Sequence, residues 1–319
     1  MNVSVIGCGR RGSFFAWYTA TQCGHCVTLY GRKTSKTFAK LKQTRQNGLL
    51  TLPDSVRLSD DLQETVASAQ ILILSVGAQS LRGLLQELSA CSCQEIPFVL
   101  CMKGIEAETG LRLSEVVRSV FPAKSLAIWV GPGHVQDFLR GIPNCMVIDS
   151  DDDALKQKCI EAFSSPLIRF YLGEDLLGNE VGAAAKNVIG IAAGMLDGLQ
   201  KTALKGALMS RGTREIARLI EAMGGDARTA YGLAHLGDYE ATLFSPHSHN
   251  RRFGEDFVRH MPYDSLAEGE ATVKALVRLG ERYRVDLPIC RAVDAVLHHG
   301  QDPDEALSGL FLRSLKAEF

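Results

Sequence analysis

The sequence is poor in net charge, in long apolar runs and, toward its start, in acidic residues. Its 35 lysines and arginines meet 36 aspartates and glutamates, a formal net charge of −1. It therefore lacks the basic excess on which phosphate-backbone binding depends, and no nucleic-acid partner is expected. Met1-Asn2-Val3-Ser4-Val5-Ile6 runs straight into a glycine turn, with neither a basic leader nor an apolar stretch of spanning length. Neither a signal peptide nor a membrane span is expected, and the location expected is cytoplasmic. Cysteines number nine, an odd count in a large chain, and Cys8, Cys101 and Cys145 sit inside apolar runs. Reduced, buried thiols are expected rather than a disulfide framework. Cys23-Gly24-His25-Cys26 spells a C-x-x-C pair, but between a first helix and a second strand rather than at a helix start, where a thiolate would be stabilised. A packing role is expected there. His247 and His249 have no third ligand placed by spacing, so no metal site is expected.

What is present is enough for two cores. At 319 residues and 46% hydrophobic content, the chain exceeds the usual limit of one core, about 250–300 residues. The first half alternates short apolar runs with helical periodicity. Strands are predicted at Val3–Ile6, Val27–Tyr30, Ile71–Val76, Phe98–Cys101, Ala127–Val130 and Met146–Ile148, and helices at Leu81–Leu88 and Leu113–Val120. That alternation predicts an α/β, doubly wound parallel sheet of Rossmann type. After Gly173 the pattern becomes helical, with Val181–Leu199, Leu204–Met223, Glu268–Tyr283 and Ile289–His298 as helices. The expected organisation is a cofactor domain over residues 1–173 and an all-helical substrate and catalytic domain over residues 174–319, with the active site in the cleft.

Gly7-Cys8-Gly9-Arg10-Arg11-Gly12 is a G-x-G-x-x-G set directly after the first strand and before a helix. In that setting Gly7 makes the tight turn, Gly9 admits a pyrophosphate against the backbone, and Gly12 allows close helix–strand packing, with Arg10 and Arg11 nearby. The second strand ends in Tyr30-Gly31-Arg32-Lys33, where an acidic residue would bind the ribose of NAD. No acidic residue occurs before Asp54. Arg32 and Lys33 could be a solvated helix start, but cations there are better explained by an anionic ligand. The cofactor expected is NADPH, with NADH compatible.

Three polar groups interrupt apolar or glycine-rich segments: Lys103 after the fourth predicted strand, Lys186 within Gly182-Ala183-Ala184-Ala185-Lys186-Asn187, and Asp238 closing Leu236-Gly237-Asp238. A desolvated lysine suits proton transfer to a carbonyl, and a snorkelling rim residue is the alternative.

Taken in order, Gly7–Gly12, Lys103-Gly104-Ile105-Glu106, Gly131-Pro132, Ala185-Lys186-Asn187-Val188-Ile189, Ser210-Arg211-Gly212, Leu236-Gly237-Asp238 and Asn250-Arg251-Arg252-Phe253-Gly254 make the chain resemble the NAD(P)-dependent glycerol-3-phosphate dehydrogenases from about Asn2 to Arg313. The resemblance implies reversible reduction of dihydroxyacetone phosphate to sn-glycerol 3-phosphate for glycerophospholipid synthesis. It implies Lys186 as the proton-transfer residue, Lys103 as its partner touching cofactor and substrate, and Asp238 as the group that orients the lysines. Asn187 and Thr242 would line the substrate site, together with Gly131 and Gly133. Ser248, His249 and Asn250 would hold the phosphate. Val135, His249 and Glu268 would reach the cofactor, Glu268 near the nicotinamide ribose. A homodimer through the apolar helical domain is one assembly such helices allow.

The departures bear on substrate. Ser248-His249-Asn250 stands where the family usually reads Ser-Arg-Asn, so a bidentate guanidinium is replaced by an imidazole charged only part of the time near neutral pH. Arg251 or Arg252 could substitute for it. Gly131-Pro132-Gly133-His134-Val135 lacks the hydroxyl of the usual Gly-Pro-Ser/Thr, and the stretch between Leu199 and Ser210 looks about one residue short. A related reductase of another small 2-oxo compound, and a non-catalytic NADP(H) sensor, are the competing functions. A sensor would have no use for the lysines.

Overall fold

Successive short apolar strands need a sheet covered on both faces, and the computed structural model, which describes residues 1–310, has one. The far end of the family resemblance, Arg313, lies outside the described residues. The chain divides into two compact units. The first comprises Met1–Lys103 and Leu111–Leu176, and the second Gly104–Gly110 and the chain from Leu177 onward.

In the first unit the strands are β1 (Asn2–Ile6), β2 (Cys26–Tyr30), β3 (Arg57–Ser59), β4 (Ile71–Leu74), β5 (Phe98–Leu100), β6 (Leu126–Val130), β7 (Asn144–Asp149) and β8 (Ile168–Leu172). Their order is β3-β2-β1-β4-β5-β6-β7-β8. Neighbours run parallel except β6 and β7, which pair antiparallel. Helices α1 (Arg10–Thr21), α2 (Lys36–Thr44), α3 (Leu62–Ala67), α4 (Leu81–Ser89), α5 (Leu113–Val120), α6 (Val135–Leu139) and α7 (Asp153–Phe163) accompany them. The six predicted strands are all present. The two that were not predicted, β3 and β8, are the sheet's edges, where half the backbone faces solvent and apolar content falls: Arg57, Arg169, Tyr171 and Leu172 are exposed. The single antiparallel pair departs from the all-parallel expectation. Between β6 and β7 lies only the five-residue α6, which returns the chain rather than carrying it across the sheet.

The core of this unit is built round Trp129 of β6, whose ring is edge-on to Phe15 at 4.8 Å and Phe170 at 4.9 Å and stacked on Phe163 at 5.3 Å. One indole thereby ties α1, α7 and β8 to the sheet centre. Of the C-x-x-C pair only Cys23 packs: burial pushes its thiol up to about 11, the opposite of a reactive thiolate, whereas Cys26, which opens β2, is exposed, a departure from the buried thiols expected.

The second unit is helical: α8 (Leu176–Gly198), α9 (Lys205–Ala222), α10 (His249–Val258), α11 (Glu268–Arg282), α12 (Pro288–His299) and α13 (Pro303–Gly309). Long α8 is its axis, with Val188, Ile189, Ile191, Ala192 and Met195 fully buried. Buried Glu215 of α9 accepts from the Ile289 and Cys290 N–H groups at 2.9 and 3.0 Å, capping α12. Among the described residues no helix is long and apolar enough to cross a membrane.

Candidate functional site

The loop after β1 is shaped by its glycines. Gly7 has φ +112°, and a Cβ on it would overlap the Ser75 carbonyl; a Cβ on Gly12 would overlap the Gly7 carbonyl. Both positions therefore require glycine. Gly9 differs: a Cβ there would meet nothing within 4 Å. Gly9 is the N-cap of α1, whose first turn has neither a side-chain cap nor an acidic residue. A helix N-terminus of this kind, with open space before it, suits a pyrophosphate. Arg10 donates to the Gln136 side chain at 2.7 Å, and Arg11 lies over the Phe15 ring at 5.6 Å.

Past β2, Arg32 and Lys33 are exposed and precede α2, whose N-cap is Ser35. The sequence showed no acid at this end, but the fold brings one: Glu87 of α4 pairs with Arg32 at 2.9 Å. Both partners are about half exposed, and such pairs contribute only ~0–1 kcal/mol. A ligand phosphate can therefore displace Glu87 from Arg32.

Beyond β5, buried Lys103 donates from Nζ to the Gly131 carbonyl at 2.6 Å, joining two of the residues expected at the site. Gly131 and Gly133 both have positive φ, +131° and +124°, and a Cβ on Gly133 would meet the Phe138 ring at 2.5 Å. The missing hydroxyl at position 133 thus has a backbone cause, since the turn and Phe138 admit only glycine. Val135 follows, buried, as the first residue of α6.

In the second unit the lysine on α8 finds the partner expected of it. Lys186 Nζ lies 2.8 Å from Asp238 Oδ2 and 2.6 Å from Thr242 Oγ1. Thr242 donates its own hydrogen to the Asp238 carbonyl at 2.6 Å, so toward Lys186 it accepts. The side chains of Lys186 and Asp238 are 10% and 2% exposed. A buried ammonium is thus matched by a buried carboxylate, and its orientation is fixed from two sides; the snorkelling alternative does not hold. Asn187 is buried next to it.

The way α8 meets its neighbours explains this placement. Gly182, Gly190, Gly194 and Gly198 recur at multiples of four residues, and Lys186 fills the gap in the series. A Cβ on Gly190 would press on Thr242, on Gly194 it would overlap the Arg251 carbonyl, and on Gly198 it would meet Val258. One stripe of α8 therefore lets the 238–242 turn and α10 approach at backbone distance. This ladder is a signal present in the sequence that reasoning from apolar periodicity passes over.

At the start of α10, Ser248 is the N-cap, accepting from Arg251 N–H at 3.3 Å. Asn250 Oδ1 accepts from Gly269 N–H at 2.9 Å, linking α10 to the first turn of α11, which Glu268 opens. The Tyr263 hydroxyl lies 2.9 Å from both the carbonyl and Nδ1 of His249 and can give its one hydrogen to either. The two arginines that could substitute for His249 divide. Arg251 is held by Asp197 at 2.6 Å and Glu255 at 3.0 Å, whereas Arg252 is exposed. Arg251 is therefore a structural ion-pair partner rather than a phosphate clamp. Asp197 also binds Lys205 at 2.5 Å. Burial opposes its ionisation, but the bonds from Lys205, Arg251 and Thr202 outweigh that and hold its carboxyl below the ordinary range. Among the described residues no group of three or more His, Cys, Asp or Glu is arranged to hold a metal.

Comparison with known proteins agrees along the whole chain. Residues 2–156 match the model of the NAD-dependent glycerol-3-phosphate dehydrogenase N-terminus, and residues 175–308 that of its C-terminus. A glycerol-3-phosphate dehydrogenase (NAD(P)+) of Chlorobium phaeobacteroides is 34% identical, covering 100% of this chain and 99% of that one. The enzyme of that name from a Bradyrhizobium species is 36% identical over 99% and 98%. The crystal structure of glycerol-3-phosphate dehydrogenase from Coxiella burnetii shares the fold, with a TM-score of 0.91 at 23% identity, covering 98% of this chain and 99% of that one.

Proposed function

The chain belongs to the NAD-dependent glycerol-3-phosphate dehydrogenase family, and from that premise we propose that it reversibly reduces dihydroxyacetone phosphate to sn-glycerol 3-phosphate with NADPH. The observation that carries this reading is the buried Lys186, held by Asp238 and Thr242. We assign residues 1–173 to the cofactor and residues 174–319 to substrate and catalysis.

The first unit fits a dinucleotide. Gly7, Gly9 and Gly12 with the α1 N-terminus would hold the pyrophosphate, and Arg32 and Lys33 the adenosine end, while Val135, Lys103, His249 and Glu268 are assigned to the remaining contacts. When bound, the cofactor supplies a hydride to the ketone carbon. As charge develops on the ketone oxygen, the Lys186 ammonium stabilises it and donates a proton to it. Asp238 keeps the lysine charged before transfer, and Thr242, acting only as acceptor toward it, keeps the ammonium directed. In the reverse direction the neutral amine takes the hydroxyl proton.

NADPH should be preferred to NADH, because Arg32 can exchange Glu87 for the extra phosphate. Arg32→Ala should lower the ratio of kcat/KM for NADPH over NADH about tenfold, on the order of one lost charge-assisted contact. An unchanged ratio would remove Arg32 from the cofactor site.

Relatives of the same printed name aligned over the full length do not favour a different 2-oxo substrate, and His249 supplies the check. Arginine would put a permanent bidentate donor at this position, so His249→Arg should lower the KM for dihydroxyacetone phosphate. A variant inactive with dihydroxyacetone phosphate would mean that the family's substrate does not carry over to this chain.

A cytoplasmic location, supply of glycerol 3-phosphate to lipid synthesis and a homodimer through the helical unit belong to the same proposal. They draw support from nine free cysteines, which suit a reducing compartment, and from exposed Met261 and Leu266 in the second unit.

A further inference from the structure

Behind the Lys186–Asp238 pair lies a fully buried imidazole that the proton transfer itself does not use. His235 and Tyr239 are both 0% exposed. His235 Nδ1 is 2.8 Å from the Gly182 carbonyl and Nε2 is 2.7 Å from the Tyr239 hydroxyl. A carbonyl only accepts, so Nδ1 carries the hydrogen. Nε2 of the neutral ring is then an acceptor, and the Tyr239 hydroxyl donates to it.

The two ends of this chain fall on the two segments that bear the ion pair. Gly182 is one helical turn before Lys186 on α8, and a Cβ on it would meet His235 Cβ at 3.0 Å. The His235 carbonyl accepts from Asp238 N–H at 3.0 Å, starting the 3-10 turn Leu236–Asp238. Tyr239 follows Asp238 directly. The ionisable groups facing the chain are Lys186 from α8, Asp238 from the turn, Glu215 from α9 and Cys290 from α12. Burial above all pushes the imidazole down to about 4, so its neutral form and its tautomer persist across the working range.

We infer that the His235–Tyr239 chain is the positioning device that sets the spacing of the Lys186 ammonium and the Asp238 carboxylate. It rests on Lys186 being the proton donor proposed above. Anchored at Gly182 and at Asp238, it converts two separately folded segments into one fixed donor–acceptor distance. Misplacing a reacting group by 1 Å costs on the order of 10²-fold in rate, so a bond that only holds geometry acts on kcat more than on binding.

The test uses the full-length Tyr239→Phe, His235→Leu and His235→Asn variants. Tyr239→Phe keeps the ring and removes only the donor, and the Asn amide keeps a donor toward Gly182. Each is read by kcat and KM with dihydroxyacetone phosphate, by Tm, and by the pH profile of Lys186 reductive methylation followed by mass spectrometry. Tyr239→Phe and His235→Leu should lower kcat about ten- to a hundredfold, with KM changed less than about twofold and the Lys186 labelling profile shifted. His235→Asn, which keeps the bond to Gly182 and loses the one to Tyr239, should fall as far as Tyr239→Phe and no further than His235→Leu. Wild-type kcat and labelling in the first two variants would overturn the inference, as would losses that follow Tm alone across the three variants. Should the wild-type chain fail to reduce dihydroxyacetone phosphate, the substrate reading falls, and the labelling profile still decides the positioning role.

Discussion

Lys186→Ala is expected to lower kcat by about 10²–10⁴-fold, the usual loss on removing a positioned general acid, while NADPH affinity stays within about twofold. The separation follows from where the groups sit: the glycine loop and Arg32 belong to the first unit, and Lys186 is bound to Asp238 and Thr242 within the second. The substitution also removes the ammonium beside Asp238, whose side chain is 2% exposed, so turnover must be separated from folding. A Lys186→Met, Asp238→Asn double variant removes both charges together. It should regain Tm and leave turnover lost, because replacing a buried ion pair by neutral groups is often close to neutral for stability. Near-normal kcat in Lys186→Ala, with Tm maintained, would rule out the proton-transfer role.

Asp238→Ala should be the more destabilising single change. It leaves the Lys186 ammonium buried without its carboxylate, a loss of about 3–5 kcal/mol, which for a unit of this size lowers Tm on the order of 10 °C. Turnover should fall as well, since the ammonium loses the carboxylate that orients it. Asp238→Asn, which keeps the shape and one acceptor, should fall between wild type and Ala in Tm. An Asp238→Ala chain that melted with the wild type would show that the 2.8 Å pair contributes nothing to holding the 238–242 turn on α8.

How much of this was legible in the sequence depended on whether a signal is local. Central strands such as β4 and β6, buried on both faces, read as continuous apolar runs. Edge strands β3 and β8, with exposed Arg57 and Tyr171, carry no such run and were missed. The glycine loop could be read because Gly7 and Gly12 answer local steric needs. Lys186, Lys103 and Asp238 stood out as polar residues in apolar or glycine-rich settings. Which partner each would find could not be read, because Asp238 lies 52 positions beyond Lys186, and the glycine ladder of α8 brings them together. The same holds for Glu87 beside Arg32 and for Asp197 holding Arg251: ion pairs over long sequence separation leave no periodic trace. The His235–Tyr239 chain was missed because a histidine in a glycine-rich turn has no distinguishing spacing until its tautomer is fixed by Gly182 and Tyr239.

The proposed reaction is hydride transfer from NADPH to a phosphorylated ketone. The most direct measurement is the rate of NADPH oxidation at 340 nm by the wild-type protein with dihydroxyacetone phosphate, unphosphorylated dihydroxyacetone and a set of 2-oxo acids, each across a KM range. The value of kcat/KM for dihydroxyacetone phosphate should lie at least ~10²-fold above that of every other compound, the order of magnitude expected when binding a phosphate group is used in the transition state. A higher kcat/KM for any unphosphorylated 2-oxo compound would contradict the proposed reaction.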